Sequence, residues 1–266
     1  MKLIDMHVHT NASDGALSPE EAIQRAIENG LSGMAITDHD TVMGALSVNQ
    51  LNIPDHFTVI KGIEFSTMLN NKEIHILGYN LDLEDESLQN LLKRIQNFRG
   101  DRVHKILQKL ERFNISLDFQ EVQGMEPPDS IGRPHVAKAL IRRGFVRDVS
   151  EAFDRYLAKG RLAYVERYKL ETKEAIDLIK KLGGFSVLAH PGLLNEKDIL
   201  SVLEKGIEGI EVYHPKHSQY AVKDLFDLAT ARNLIITGGS DFHDFSMTKG
   251  NDIGSHTIPI DSIAYD

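Results

Sequence analysis

Histidines and acids of this chain recur in short clusters of a kind that binds metal ions. Met6-His7-Val8-His9-Thr10 stands near one end and Ser240-Asp241-Phe242-His243 near the other. Between them come Thr37-Asp38-His39-Asp40, Gly62-Ile63-Glu64, Glu73-Ile74-His75, Ala189-His190-Pro191 and Glu211-Val212-Tyr213-His214. Two histidines one residue apart after the apolar Leu3-Ile4 project from one face of a strand, as chelation requires. Each of the other clusters is read at the C-terminal edge of an apolar run. A lone histidine is usually a surface or satisfied core residue, but here His7, His9, His39, Glu64, His75, His190, His214, Asp241 and His243 share one topological position. Asp14 follows in the Ser13-Asp14-Gly15 turn. With no cysteine in the chain, thiolate zinc sites and cysteine nucleophiles are excluded, and any ion rests on imidazole and carboxylate. One ion needs three or four protein ligands. This set has more than twice that, so two or three divalent ions sharing Glu64 is the economical reading. Closely spaced ions suit in-line displacement at phosphorus.

The elements that must position these residues alternate strand and helix. Strands are expected near Leu3–His7, Gly33–Thr37, Thr58–Ile63, Glu73–Tyr79, Phe185–Ala189, Gly209–Tyr213 and Leu234–Thr237. The first helix carries a capping box at Ser18-Pro19-Glu20-Glu21 and stops at Gly30. Thr172–Leu182, Asn195–Lys205 and Ser218–Arg232 follow the same style. The order predicts a mainly parallel α/β sheet closing as a barrel, where reacting groups gather at C-terminal strand ends. From about 82 to 167 the rhythm breaks. Asp85–Phe113 reads as one long helix, followed by a Pro127-Pro128 break, a helix after Pro134 and another around Val149–Lys159. The expected domains are a barrel from 1–81 with 168–266, and a helical insertion from 82–167 acting as a lid or specificity element.

The net charge of −9 argues against broad binding to nucleic acid, though not against a small anionic substrate. No apolar run reaches a membrane-spanning length, and from its opening residues the chain is expected to lack a signal peptide. A cytoplasmic monomer with no membrane partner is the default expectation.

Taken together, His7-Val8-His9-Thr10, Thr37-Asp38-His39-Asp40, Gly62-Ile63-Glu64, His75-Ile76-Leu77-Gly78-Tyr79, His190-Pro191 and Ser240-Asp241-Phe242-His243 resemble the ordered motifs of PHP (polymerase and histidinol phosphatase) proteins over almost the whole chain. The resemblance implies a distorted (β/α)7 barrel with a trinuclear site. By motif, His7, His9, Glu64 and Asp241 hold one ion, Glu64, His75 and His190 a second, and Asp14, His39 and His243 a third. Mn²⁺, Zn²⁺ or Fe²⁺ suit these ligands. Some family members carry histidine where this chain has Asp14, so the harder third site favours Mn²⁺ or Mg²⁺. Ile131-Gly132-Arg133-Pro134-His135-Val136-Ala137 is similar to a motif of family phosphoesterases that remove the 5′-phosphate of AMP or of 3′,5′-bisphosphate nucleotides. There Arg133 and His135 are expected to read phosphate, and His214 to contact substrate phosphate or the leaving group. The implied reaction is attack on a nucleotide 5′-phosphate by a hydroxide bridging two ions at Glu64. Competing readings are a 5′-to-3′ exonuclease on short oligonucleotides, a histidinol-phosphate-type phosphatase and a non-catalytic metal-binding module.

Overall fold

The computed structural model describes residues 2–124, 131–166, 168, 170–245 and 251–262. The expected Pro127-Pro128 break lies outside them. The chain divides into two compact units, residues 1–88 with 169–266 and residues 89–168. The expected boundaries at 82 and 167 fall a few residues away. Asp82 explains part of the shift, since its N–H donates to Leu182 O at 3.0 Å and keeps the chain before the long helix on the first unit.

In the first unit, seven strands make the barrel wall: β1 (Leu3–Val8), β2 (Gly33–Ile36), β3 (Thr58–Leu69), β4 (Lys72–Tyr79), β6 (Phe185–Leu188), β7 (Gly209–Tyr213) and β8 (Ile235–Gly238). They run in the order β8-β7-β6-β4-β3-β2-β1. The short β5 (Leu170–Glu171) pairs with β3, and β9 (Ile258–Pro259) flanks β1. The wall closes beyond β8, where Asp241 N–H donates to His7 O (2.9 Å) and His9 N–H to Phe242 O (3.0 Å). Gly239 permits this approach, because a Cβ there would lie 2.3 Å from His7 Cβ. The result is a nearly closed α/β barrel of distorted (β/α)7 type.

One strand departs from the parallel expectation. β4 is antiparallel to both β3 and β6. Its cause is the two-residue turn Asn70-Asn71, with φ of 51° and 62°. Asparagine tolerates that left-handed pair, whose twist suits a tight hairpin. His75 therefore stands in the N-terminal half of its strand rather than at a C-terminal edge. Reversal brings that half level with the C-terminal ends of its neighbours: His75 pairs opposite Ser66, and its carbonyl accepts from Ala189 N–H at 3.1 Å.

Side-chain alternation then sorts the wall. Ala35, Ile60, Leu77, Tyr79, Val187 and Ala189 pack in one buried apolar cluster. Glu64 and His75 occupy the same faces of β3 and β4 as Ile60 and Leu77. Outside, α1 (Pro19–Glu28) has the expected capping box, with Ala22, Ile23 and Ala26 buried. α2 (Met43–Ser47), α7 (Thr172–Lys181), α8 (Glu196–Leu203) and α9 (Gln219–Arg232) complete the unit's helices.

The second unit is helical. α3 (Glu86–Glu111) enters it from the first, and α4 (Phe119–Gln123), α5 (Arg133–Arg142) and α6 (Val149–Ala152) follow. The segment expected as one helix to Lys159 instead passes from α6 into a wider π-type turn over Phe153–Leu157. Val103, Ile106, Leu110, Val136, Leu140 and Leu157 are among its core. Among the described residues no helix is long and apolar enough to cross a membrane.

Candidate metal centre

Every expected metal ligand belongs to the barrel unit, and the fold brings all of them to one nest. His7 and His9 extend from β1, Glu64 from β3 and His75 from β4. Asp14, His39, His190, Asp241 and His243 come from the loops after β1, β2, β6 and β8. His7, His9 and Glu64 are fully buried. Three loop residues hold left-handed backbones without being glycine, His190 at φ 33°, Asp241 at 49° and Asp40 at 52°. Such strain persists only where surrounding contacts enforce it.

The tightest group is built from His7 Nε2, His9 Nε2, Glu64 Oε2 and Asp241 Oδ1. Their separations are 3.1 Å between the imidazoles, 3.4 and 3.2 Å from His7 and His9 to Glu64, and 3.5 and 3.4 Å to Asp241. A tetrahedral ion with ligand bonds of about 2.0–2.1 Å has donor-to-donor edges of about 3.3–3.4 Å. On the other side of Glu64, Oε1 lies 3.0 Å from His75 Nδ1 and 3.2 Å from His190 Nε2. His39 Nδ1 lies 3.0 Å from Glu64 Oε2, and His39, Glu64 and His75 offer donor atoms within 4.8 Å of one another. A further group joins Asp14, His39 and His243 with His9, with Asp14 Oδ1 3.4 Å from His243 Nε2 and 3.7 Å from His9 Nδ1. His39 and His9 thus each border two groups, where the motif resemblance gave each to one.

Hydrogen bonding shows that these groups fit cations. Among the described residues, His9 Nδ1, His39 Nδ1 and Glu64 Oε2 are buried with no hydrogen-bond partner. Leaving such atoms unpaired is costly. The donor set of imidazole and carboxylate suits divalent metals, and the orphaned atoms are the ones such ions satisfy.

Electrostatics points the same way. Burial opposes a charged His7, yet Glu211, Glu64 and Asp241 push its pKa well above the usual range. His9 and His75 are likewise driven up to about 10 against burial, His9 by Asp241 and Glu64 and His75 by Glu64 and Glu73. Glu64 is held well below the usual carboxylate range, His39, His75 and His7 overcoming its burial. Asp14 falls to about 2 by the same balance with His39, His243 and His9. Burial and neighbouring His9 lower His243 to about 4. Protons and metal cations are thus competitors for one negative nest.

Outer contacts fix the ring orientations. His7 Nδ1 donates to Glu211 Oε1 at 3.0 Å, so Nε2 faces the nest. The other oxygen of Glu211 accepts from His190 N–H at 2.7 Å. His75 Nε2 donates to Glu73 (2.9 Å), turning Nδ1 inward, and His243 Nδ1 donates to Asp241 O (3.0 Å). Asp38 accepts from Thr10 N–H (2.7 Å), Thr10 Oγ1 (2.8 Å) and Ser13 Oγ (2.7 Å), fixing the loop that bears Asp14. Asp5 accepts the N–H groups of His7, Ser240 and Gly254. Burial lifts its pKa to about 6 against those bonds. Glu211, Asp38 and Asp5 were not among the expected site residues. For Asp5 and Glu211 the signal was an acid within a short run that is otherwise apolar, as in Gly209-Ile210-Glu211-Val212-Tyr213, whereas Asp38 stands in the polar cluster beside His39.

His214 is fully buried. Its Nδ1 accepts from Lys216 N–H (3.1 Å) and its Nε2 donates to Asp241 Oδ2 (3.2 Å). It thereby positions Asp241, and it also lines the cleft on which the nest opens. His217 is half-buried and bonded between Val212 O (2.8 Å) and Gly192 N–H (3.0 Å). The nest opens on a cleft of about 310 Å³ lined by His39, His75, His190, Lys216, Asp241 and Asn251, among others. Lys216 Nζ lies 3.6 Å from Asp241 Oδ2.

Arg133 and His135 belong to the helical unit. His135 Nδ1 accepts from Gly132 N–H (3.1 Å) and so caps α5. The Arg133 guanidinium lies 5.3 Å from the Phe153 ring centroid and donates to Leu157 O at 3.3 Å.

A profile of the PHP domain matches residues 5–183. The chain belongs to the PHP family. Its relatives include the 5′-3′ exoribonuclease Rnm of Escherichia coli, 33% identical over 91% of this chain and 85% of that protein. Another is the 3′,5′-nucleoside bisphosphate phosphatase of Chromobacterium violaceum, 32% identical over 97% of this chain and 92% of that protein. A Bifidobacterium adolescentis structure assigned to the metal-dependent phosphoesterases superposes with a TM-score of 0.85 at 27% identity, covering 97% of this chain and 93% of the other. This PHP protein is a metal-dependent phosphoric ester hydrolase.

Proposed function

We propose that the protein hydrolyses the 5′-phosphate of nucleotides, AMP or 3′,5′-bisphosphate nucleotides, at the nest around Glu64. The observation that carries this reading is the pair of donor groups on the two oxygens of one buried carboxylate, open to a cleft of nucleotide scale. His7, His9, Glu64 and Asp241 would hold one ion and Glu64, His75 and His190 a second, with Asp14, His39 and His243 at a third. Divalent ions bound there supply a nucleophile from water near neutral pH and counter the charge on phosphate oxygens.

The chain's own residues do the rest. Glu64 joins the two groups and fixes their spacing. Glu211 holds His7, and His214 holds Asp241, so the ligand atoms are set before substrate arrives. His214 and Lys216 both line the cleft, where they face the substrate phosphate or its leaving group. The Gly132-Arg133-Pro134-His135 motif supports Arg133 and His135 as phosphate-reading residues. The metals remain open among Mn²⁺, Zn²⁺ and Fe²⁺, with Mg²⁺ admitted at the Asp14 group.

The similarity to the Rnm exoribonuclease favours a second reading, removal of 5′ nucleotides from short oligonucleotides. Both are tested by supplying Mn²⁺, Zn²⁺ or Fe²⁺ to metal-stripped protein and assaying AMP, adenosine 3′,5′-bisphosphate, histidinol phosphate and a short 5′-phosphorylated RNA. Inorganic phosphate from the nucleotides supports the first reading, and mononucleotide release from RNA the second. Metal binding without turnover on any of them would leave a non-catalytic module.

A further inference from the structure

The two units carry opposite charge. Residues 89–168 hold 16 Lys and Arg against 10 Asp and Glu, whereas the barrel unit holds 14 against 29. An acidic chain thus contains a basic unit, which the net charge of −9 conceals.

Around α5 and α6 much of the positive charge is paired locally. Arg143 pairs with Glu121 at 2.7 Å, and Arg147 and Arg155 with Glu151 at 3.1 and 2.9 Å. On α3 it is not. Arg94, Lys105 and Arg112 are exposed, and none makes an ion pair among the described residues. At 3.6 residues per turn these three and Phe98 fall within roughly 40° of one another, and buried Ile95, Ile106 and Leu110 lie roughly 60–160° round the helix from them. Lys105 Nζ stands 5.9 Å from the Phe98 ring centroid, and Tyr168 meets that ring edge-on at 5.9 Å. Asp101 is the acid on this stripe, which leaves three cations to one anion. From Arg94 to Arg112 the helix rises about 27 Å, a span of several nucleotides. A merely solvated helix face mixes both signs more evenly. Cations interleaved with a half-exposed aromatic ring form the pattern that holds single-stranded nucleic acid.

We propose that this face of α3 binds single-stranded RNA, with phosphates on Arg94, Lys105 and Arg112 and a base on Phe98.

The test uses the full chain, stripped of metal so that RNA is not cut, and a fluorescent single-stranded RNA of about eight nucleotides. Anisotropy is measured across a salt series for wild type, R94E/K105E/R112E and F98A. The triple variant should bind at least about tenfold more weakly, and its log–log salt slope should be shallower by about 2, at roughly 0.7 per lost phosphate contact. F98A should lose about fivefold or more with its slope unchanged. Unchanged melting and metal uptake in the triple variant separate this loss from misfolding. Because binding is read without turnover, failure of the proposed hydrolysis leaves the result intact. Wild-type protein that does not bind the RNA, or a triple variant with wild-type affinity and slope, overturns the proposal. F98A with full affinity overturns the stacking contact.

Discussion

The interiors of the two units are built on opposite terms. The helical unit buries Val103, Ile106, Leu110, Val136 and Leu140 against one another. The barrel unit buries His7, His9, Glu64 and Glu211 at zero exposure beside its apolar cluster. Apolar burial stabilises outright, at about 25 cal/mol per Å². Buried charge stabilises only if each group finds an opposite charge and its hydrogen bonds. Among the described residues, three buried atoms of the barrel nest have opposite charge nearby but no hydrogen bond. The difference teaches that one interior is shaped by packing and the other by ligands the chain does not itself supply.

Substitutions can break that contrast. The largest effect is expected of His9→Ala or Asp241→Ala, which remove a donor from the tightest group. Turnover should fall by roughly 10²–10³-fold or more and bound metal should fall with it, by elemental analysis of the same sample. Leu140→Ala probes the other interior. It should cost about 2–5 kcal/mol in denaturant unfolding and leave metal content unchanged; loss of metal there would erase the contrast. Glu211→Gln keeps the size of the side chain but cannot accept from both His7 and His190. Metal affinity should drop roughly 10–100-fold, read by chelator competition. Arg133→Ala should keep its metals and lose about tenfold or more in turnover, the worth of a charged hydrogen bond. Unchanged activity would remove Arg133 from the site.

The smallest expected effect concerns pH. His9 and His75 sit near 10 without ions, so at pH 7–8 both carry protons that an incoming cation must displace. Metal uptake should therefore release protons, and apparent affinity should weaken as pH falls. Titration of stripped protein with Zn²⁺ in weak buffer measures the release; uptake with no proton release would contradict the charge balance described here.

Much of the site was legible because histidine pairs at strand ends have few other uses. The gathering of His7, His39, Glu64 and Asp241 followed from placing each near the same end of a barrel strand. What escaped was direction and support. The reversal of β4 was written in Asn70-Asn71, a pair suited to a tight hairpin, yet apolar runs alone do not tell a parallel strand from its mirror order. Glu211 was visible as an acid in a short apolar strand, but its partner His7 lies 204 residues away, a distance no local pattern spans. The contacts of His214 escaped for a related reason. Sequence supplies a titratable ring but not the two hydrogen bonds that occupy it.

The central claim is best tested by a crystal structure of protein reconstituted with Mn²⁺ or Zn²⁺, with anomalous data at the metal edge. Strong peaks are predicted on both sides of Glu64, one within bonding reach of His7, His9 and Asp241 and another beside His75 and His190. A loaded crystal with no peak at Glu64, or with its ions bound elsewhere, would contradict the account.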